Sequence, residues 1–220
     1  MLHTSALTLF LDGAPLLTLP PLRVAPGEVL TLMGPSGCGK SSLLAALAGV
    51  LPPGGPIRLT GDILLGARRL TPLPPQERGV GILFQDDLLF AHLTVAENLM
   101  FGMPAHLKGI AARQTRAREA LAEVGLEAQA DKLPGALSGG QKARVSLLRA
   151  LLAEPRALLL DEPFSRLDKP LRAAFRTLVF ERLRTQAIPA LLVTHDEEDA
   201  PGTILQLIPP AIPEEEHHLV

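Results

Sequence analysis

The feature that most constrains this chain is an eight-residue loop, Gly34-Pro35-Ser36-Gly37-Cys38-Gly39-Lys40-Ser41. It follows a short apolar run, Glu28 to Met33, and leads into a Leu- and Ala-rich stretch, Ser41 to Gly49. It matches the phosphate-loop pattern G-x-x-x-x-G-K-[ST], and each position has a physical reason. The glycines let backbone N–H groups converge on phosphate oxygens, Lys40 reaches the β and γ phosphates, and Ser41 offers a hydroxyl to Mg²⁺. The helix N-terminus, whose first turn includes Ser42, adds a favourable dipole. The alternative, a glycine turn beside a solvated lysine, does not explain why a strand ends and a helix begins at its two sides.

Strand, glycine loop and helix make one unit, and the rest of the chain repeats its alternation. Leu2 to Leu11 and Leu16 to Val24 flank Asp12 and Gly13 and read as an antiparallel hairpin. Further strands are expected at 57–65, 79–84, 157–161, 190–194 and 203–208, so the fold class is α/β with a mainly parallel sheet and an antiparallel N-terminal part. Thr94 and Glu97 form a capping-box pattern, and Arg113 to Val124 reads as a helix that stops at Gly125. No strand intervenes there, which places a helical subdomain at 86–137. Leu171, Ala174, Phe175, Leu178 and Leu183 mark a later amphipathic helix, Pro72 to Pro75 a loop, and 209–220 a tail.

Composition narrows the partners. Residues 1–110 carry seven Lys/Arg against seven Asp/Glu, and the whole chain is at −2, so no basic half exists to hold a nucleic-acid backbone. One cysteine, Cys38, cannot close an internal disulfide, which favours a reducing cytosol. Within Ser41 to Ile57, the longest uncharged run, prolines and glycines interrupt what would need about 20 apolar residues to cross a bilayer.

Two more segments carry chemistry. Ala157 to Asp161 is an apolar strand that ends in Asp161-Glu162, where a nucleotide's Mg²⁺ and attacking water would sit in an open α/β sheet. Leu137-Ser138-Gly139-Gly140-Gln141 then offers a second helix start for an anion, with Ser138 as N-cap and no lysine of its own. Two half-sites in one chain suggest a head-to-tail dimer.

In this order, the phosphate loop, Gln85, Ser138 to Gln141, Asp161-Glu162, Asp168 and His195 resemble the ATP-binding subunits of ABC transporters over about residues 1–208. The resemblance implies a phosphate-loop NTPase (RecA-like) core at 1–85 and 138–208. It also implies ATP and Mg²⁺ as ligands and a second copy of the chain as partner. Gly34 to Ser42 would hold the nucleotide of one subunit, while Ser138, Gly139, Gly140 and Gln141 close on the γ-phosphate held by the other. Asp168 would lie at the dimer interface, with Arg166 standing where the family usually has a small residue. Ser41, Gln85 and Asp161 correspond to Mg²⁺ contacts, and Glu162, His195 and Gln85 to the catalytic set.

The resemblance further implies an importer subunit that acts through separate transmembrane permease subunits and, indirectly, a solute-binding protein. Such a subunit lies in the cytoplasm, on the inner face of the membrane. A separately encoded exporter ATPase and a soluble ABC ATPase acting on nucleic acid or ribosomes are the competing readings. The family often stacks adenine on an aromatic at a position falling near Leu11. Here Phe10 is the only aromatic nearby, and strand alternation puts it on the opposite face. Cys38 reads as a small tolerated side chain. Met100, Phe101 and Met103 read either as a permease-facing patch or as helical core, and His217 and His218 as surface residues of the tail.

Overall fold

The computed structural model describes residues 1–208; the expected tail, with His217 and His218, lies outside them. The strands in chain order are β1 (Leu2–Thr4), β2 (Leu7–Leu11), β3 (Ala14–Leu19), β4 (Arg23–Val24) and β5 (Val29–Met33). Helix α1 (Lys40–Ala48) follows, then β6 (Ile57–Thr60), β7 (Ile63–Leu65), β8 (Arg68–Arg69), α2 (Pro75–Arg78) and β9 (Val80–Leu83). The helical stretch comprises α3 (Val95–Gly102), α4 (Ile110–Glu123) and α5 (Gly139–Leu152). The chain continues through β10 (Ala157–Asp161), α6 (Lys169–Thr185), β11 (Ala190–Val193) and β12 (Ile204–Gln206).

The centre is a five-stranded sheet in the order β12-β5-β11-β10-β9, every pair parallel. Every residue of β5, β10 and β11 is buried, because helices cover both faces. Side-chain alternation then sorts each strand between two cores. Leu158, Leu160 and Leu192 pack with α3, α5 and α6, whereas Ala157, Leu159 and Leu191 pack with α1 and the N-terminal strands.

The N-terminal strands differ from the expectation in an instructive way. Residues 2–11 and 57–65 each break in two, and they break at the same place. Ser5 N–H bonds to the Asp62 carbonyl at 3.0 Å and Asp62 N–H to Ser5 Oγ at 2.8 Å, while Gly61 has φ of +104° beside the Ala6 carbonyl. There both strands leave one antiparallel sheet, β3-β2-β6, for the other, β4-β1-β7-β8. Residues 16–24 also divide, because Pro20 and Pro21 have no N–H for a ladder.

The capping box at Thr94 and Glu97 is present, with both reciprocal hydrogen bonds formed. α3 packs on α4 and on α5, and the three share one core with Leu147, Leu148 and Leu158. Of the amphipathic positions expected on α6, Phe175 and Leu183 are buried and Leu178 half-buried, but Ala174 is exposed and Val179 takes its place in the core.

Candidate functional site

Because the central strands are parallel, their C-terminal ends share one edge of the sheet, and four of the candidate segments leave from it. β5 runs into the phosphate loop, β11 into Thr194-His195, β10 into Asp161-Glu162, and β9 into Phe84-Gln85. Segments separated by more than a hundred residues are thus neighbours through strand order alone.

The phosphate loop owes its path to close backbone approaches. A side chain at Gly34 would place its Cβ 2.9 Å from the Leu207 carbonyl, and Gly37 and Gly39 hold φ of +80° and +95°. Gly39 is the N-cap of α1 and has no side chain to cap it, so the helix presents its first N–H groups with no carboxylate competing in the first turn. Lys40 Nζ donates to the carbonyls of Gly34 and Pro35, both at 2.8 Å, and so lies along the loop. Cys38 is buried, with its Sγ 3.3 Å from where a Gly34 Cβ would stand, which makes it a packing residue of the loop.

Asp161 is buried at the end of β10. Burial raises its pKa above the usual carboxylate value, opposed by a hydrogen bond from Ser41 and the charge of Lys40, and reinforced by neighbouring Glu162. Ser41 and Asp161 therefore stand side by side. Among the described residues no group of three His, Cys, Asp or Glu side chains can hold a metal alone. A hydroxyl and a carboxylate suit Mg²⁺, which takes hard oxygens and is usually bound through one or two carboxylates plus substrate phosphates.

Glu162 has φ of +50°, a strained conformation for a residue with a side chain, and its N–H still continues the ladder to the Val193 carbonyl at 2.9 Å. The turn brings its Oε1 to 2.8 Å from His195 Nδ1. The carboxylate is mostly shielded, at 16% exposed, whereas the ring is 69% exposed. Gln85 is exposed in the loop after β9 and shares a small cleft with Glu162, Ser165 and Arg166.

Ser138 to Gly140 are not part of the phosphate loop, and Gly140 lies against the Arg166 backbone. They open α5, which packs on α3 and β9, whereas α1 packs on β10, β9 and β6. Ser138 Oγ accepts from Gln141 N–H and Gln141 Oε1 accepts from Ser138 N–H, so the Gln141 side chain serves a capping box. The pattern S-x-x-Q was legible for that role too. Asp168 is exposed at the N-cap position of α6, and its carboxylate makes no capping bond.

The site also contains residues the sequence did not single out as partners. Arg166 bonds Asp87 at 2.9 Å and Asp86 at 3.1 Å. Arg172, at the start of α6, bonds the buried Asp199 and also Asp196, just beyond His195. A charged side chain's partner across 80 residues leaves no periodic signal. Near the expected adenine position, β2 alternates regularly, and the irregularity falls on β3, where Leu9 faces Leu17 and Phe10 faces Pro15. The extra residue, Leu16, turns toward the phosphate loop, with Cδ2 2.9 Å from where a Gly39 Cβ would stand, beside Leu9.

A parallel sheet carrying a phosphate loop on one strand and an acid pair on the next strand but one defines a phosphate-loop NTPase. The sequence matches the ABC transporter domain family over residues 20–165. It is 49% identical over 202 residues to the ABC transporter ATP-binding protein YnjD of Escherichia coli (strain K12), covering 92% of both chains. It is 44% identical over 179 residues to the thiamine import ATP-binding protein ThiQ of Vibrio vulnificus (strain YJ016), covering 81% of this chain and 74% of that one. Against the Fe(3+) ions import ATP-binding protein FbpC 1 of Rhizobium meliloti (strain 1021) it is 42% identical over 179 residues, covering 81% of this chain but only 49% of that relative. The dimeric structure of MJ0796, a bacterial ABC transporter cassette, superposes with a TM-score of 0.80 at 28% identity over 94% of both chains. The chain belongs to the ABC transporter family, as one of its ATP-binding, ATP-hydrolysing subunits.

Proposed function

We propose that this subunit binds ATP with Mg²⁺ between two head-to-tail copies and uses its hydrolysis to drive solute uptake through separate permease subunits in the membrane. The observation that carries the reading is the shared sheet edge, where Lys40, Ser41, Asp161, Glu162, His195 and Gln85 leave four strands of one sheet. The N–H groups of Gly37 to Ser42 and Lys40 Nζ bind the triphosphate, and Ser41, Asp161 and Gln85 hold the cation. Mg²⁺ supplies neutralisation of phosphate charge. Glu162 takes a proton from the water that attacks the γ-phosphorus, the bond to the bridging oxygen breaks, and ADP leaves with phosphate.

His195 orients Glu162 through Nδ1 and leaves its other nitrogen to the γ-phosphate. Ser138, Gly139 and Gly140 of the second copy close the site, and Asp168 meets that copy across the interface. That Ser138 to Gly140 open a helix other than the one the phosphate loop leads into supports this division of labour.

The permease side is a groove of about 330 Å³ beside the Gln85 loop, lined by Phe84, Leu88, Phe90, Phe101 and Arg149. Phe101 is 67% exposed and Leu88 58% exposed, but Met103 is buried and Met100 half-buried against the helical core, so of the expected patch only Phe101 is exposed. Among the described residues no helix is long and apolar enough to cross a membrane, which suits a subunit peripheral to a permease on its cytoplasmic face. Iron(III) and thiamine are named for relatives that share the cassette, so the cargo is chosen by the permease and a solute-binding protein. The test is to purify Glu162→Gln from membranes with ATP and identify what accompanies it. An integral membrane protein that stimulates the parent ATPase is expected; stimulation by nucleic acid alone would overturn the reading.

A further inference from the structure

We infer that Arg166 is a positioning residue that ties the loop carrying Gln85 to the loop carrying Glu162, so that the two sides of the water-activating cleft move as one; this rests on the catalytic reading above. The guanidinium spans two carboxylates on the facing loop, Asp87 at 2.9 Å and Asp86 at 3.1 Å. Two acids on consecutive residues, held by the two terminal nitrogens of one planar fork, fix orientation as well as distance.

Each end of this bridge is anchored. On one side, Asp87 is only 13% exposed, and its carbonyl accepts from Ser146 Oγ of α5 at 2.7 Å. Gln85, which precedes the acid pair, is therefore set by where Asp87 is held. On the other side, Ser165 donates both its N–H and its Oγ to the Glu162 carbonyl, so Arg166 is one residue from a turn locked onto Glu162. The Arg166 carbonyl also stands 3.2 Å from where a Gly140 Cβ would lie, which places the residue against the first turn of α5. None of its contacts reaches Lys40 or the phosphate loop, which predicts an effect on turnover and not on nucleotide binding.

The experiment is steady-state ATP hydrolysis by the full chain as a function of ATP concentration. Arg166→Ala should lower kcat roughly 5- to 50-fold, the scale of a small misplacement of catalytic groups, and leave KM for ATP within about twofold. Arg166→Lys, which keeps charge without the fork, should recover part of the loss. Asp86→Asn with Asp87→Asn should lower kcat as Arg166→Ala does, and combining all three should add nothing, because they remove one interaction. Raising salt, which screens a half-exposed pair, should slow the parent and leave Arg166→Ala unchanged.

Parent-like kcat in Arg166→Ala, or losses that multiply in the combined variant, would overturn the proposal. Glu162→Gln is run alongside. If it hydrolyses ATP at the parent rate, the catalytic reading fails and the tie with it. If it is inactive while Arg166→Ala is unaffected, the tie alone fails.

Discussion

At the scale of single residues, Asp161 and Glu162 are adjacent in sequence and opposite in circumstance. Asp161 is buried and hydrogen-bonded to Ser41, and burial holds its carboxyl above the usual range. Glu162 has turned away through a positive φ to meet His195. The two should fail differently. Losing a positioned general base costs roughly 10² to 10⁴ in rate, so Glu162→Gln should lose turnover yet bind ATP with Mg²⁺ as the parent does. Asp161→Asn should weaken Mg²⁺-dependent ATP binding as well. A raised pKa means that the charged form is disfavoured in the folded chain at neutral pH, so Asp161→Asn should also unfold at a slightly higher temperature without ligand. Nucleotide titrations with and without Mg²⁺, beside thermal melts, separate the cases.

The base of the nucleotide is the second test at this scale. Leu16, not an aromatic ring, is the side chain that abuts Gly39, and Leu11 is exposed at the end of β2. Aliphatic contacts do not distinguish purines, so GTP should compete with ATP to within about a factor of ten, or roughly 1.4 kcal/mol. A much larger preference in competition binding would mean that Phe10 or another group reads the base. The motif residues were legible because each phosphate-binding position needs one residue type. The inward turn of Leu16 was not, because a bulge depends on how two strands pair.

Among elements, α1 shows how the site is held from behind. Its N-terminus follows directly on the phosphate loop, and its C-terminus, ending at Gly49 with φ of +80°, leaves carbonyls to be satisfied. Arg78 does this: Nη1 donates to the Leu47 carbonyl at 2.8 Å and to Ala46 at 3.1 Å, and Nε to Leu73 at 2.9 Å. Its burial lowers the guanidinium's pKa but leaves it charged. Because Arg78 ends α2 just before β9, it joins the phosphate-loop helix to the strand that leads to Gln85.

Arg78→Met removes the donors to the Leu47 and Leu73 carbonyls, while Ala46 keeps its bond from the Gly49 N–H, which should cost about 2–4 kcal/mol. For a chain of this size that is roughly 5–15 °C in Tm, read by calorimetry. Arg78→Lys should recover little, since one ammonium cannot reach all four carbonyls, that of Thr71 included. Fully buried strands such as β10 were legible to the residue, because a continuous apolar run ending in acids has one reading. The N-terminal strands were not, because a crossing between sheets is set by Ser5 and Asp62 finding each other across 57 residues.

For the whole molecule, the arrangement of half-sites decides the oligomer. Lys40 opens α1 after the phosphate loop, while Ser138 and Gly139 stand at the start of α5, whose contacts run to α3 and β9. Both are exposed or half-exposed, and α5's first turn carries no acidic side chain, so on the proposed reading each copy offers this helix start to the other copy's nucleotide. In the proposed head-to-tail dimer, a two-fold axis would pair each such start with the other copy's phosphate loop, satisfying both sites at once. ATP would then be part of the interface, and removing its γ-phosphate should remove the contact.

Glu162→Gln, expected to bind without hydrolysing, should therefore sediment as a monomer without nucleotide and as a dimer with ATP and Mg²⁺, while ADP should leave it monomeric. Lys40→Ala should abolish the dimer by losing the nucleotide. Gly139→Glu should abolish it while each subunit still binds ATP, because a carboxylate would face the γ-phosphate of the other copy. A Glu162→Gln chain that stays monomeric at saturating ATP would show that the helix start at Ser138 serves something other than a second copy's nucleotide.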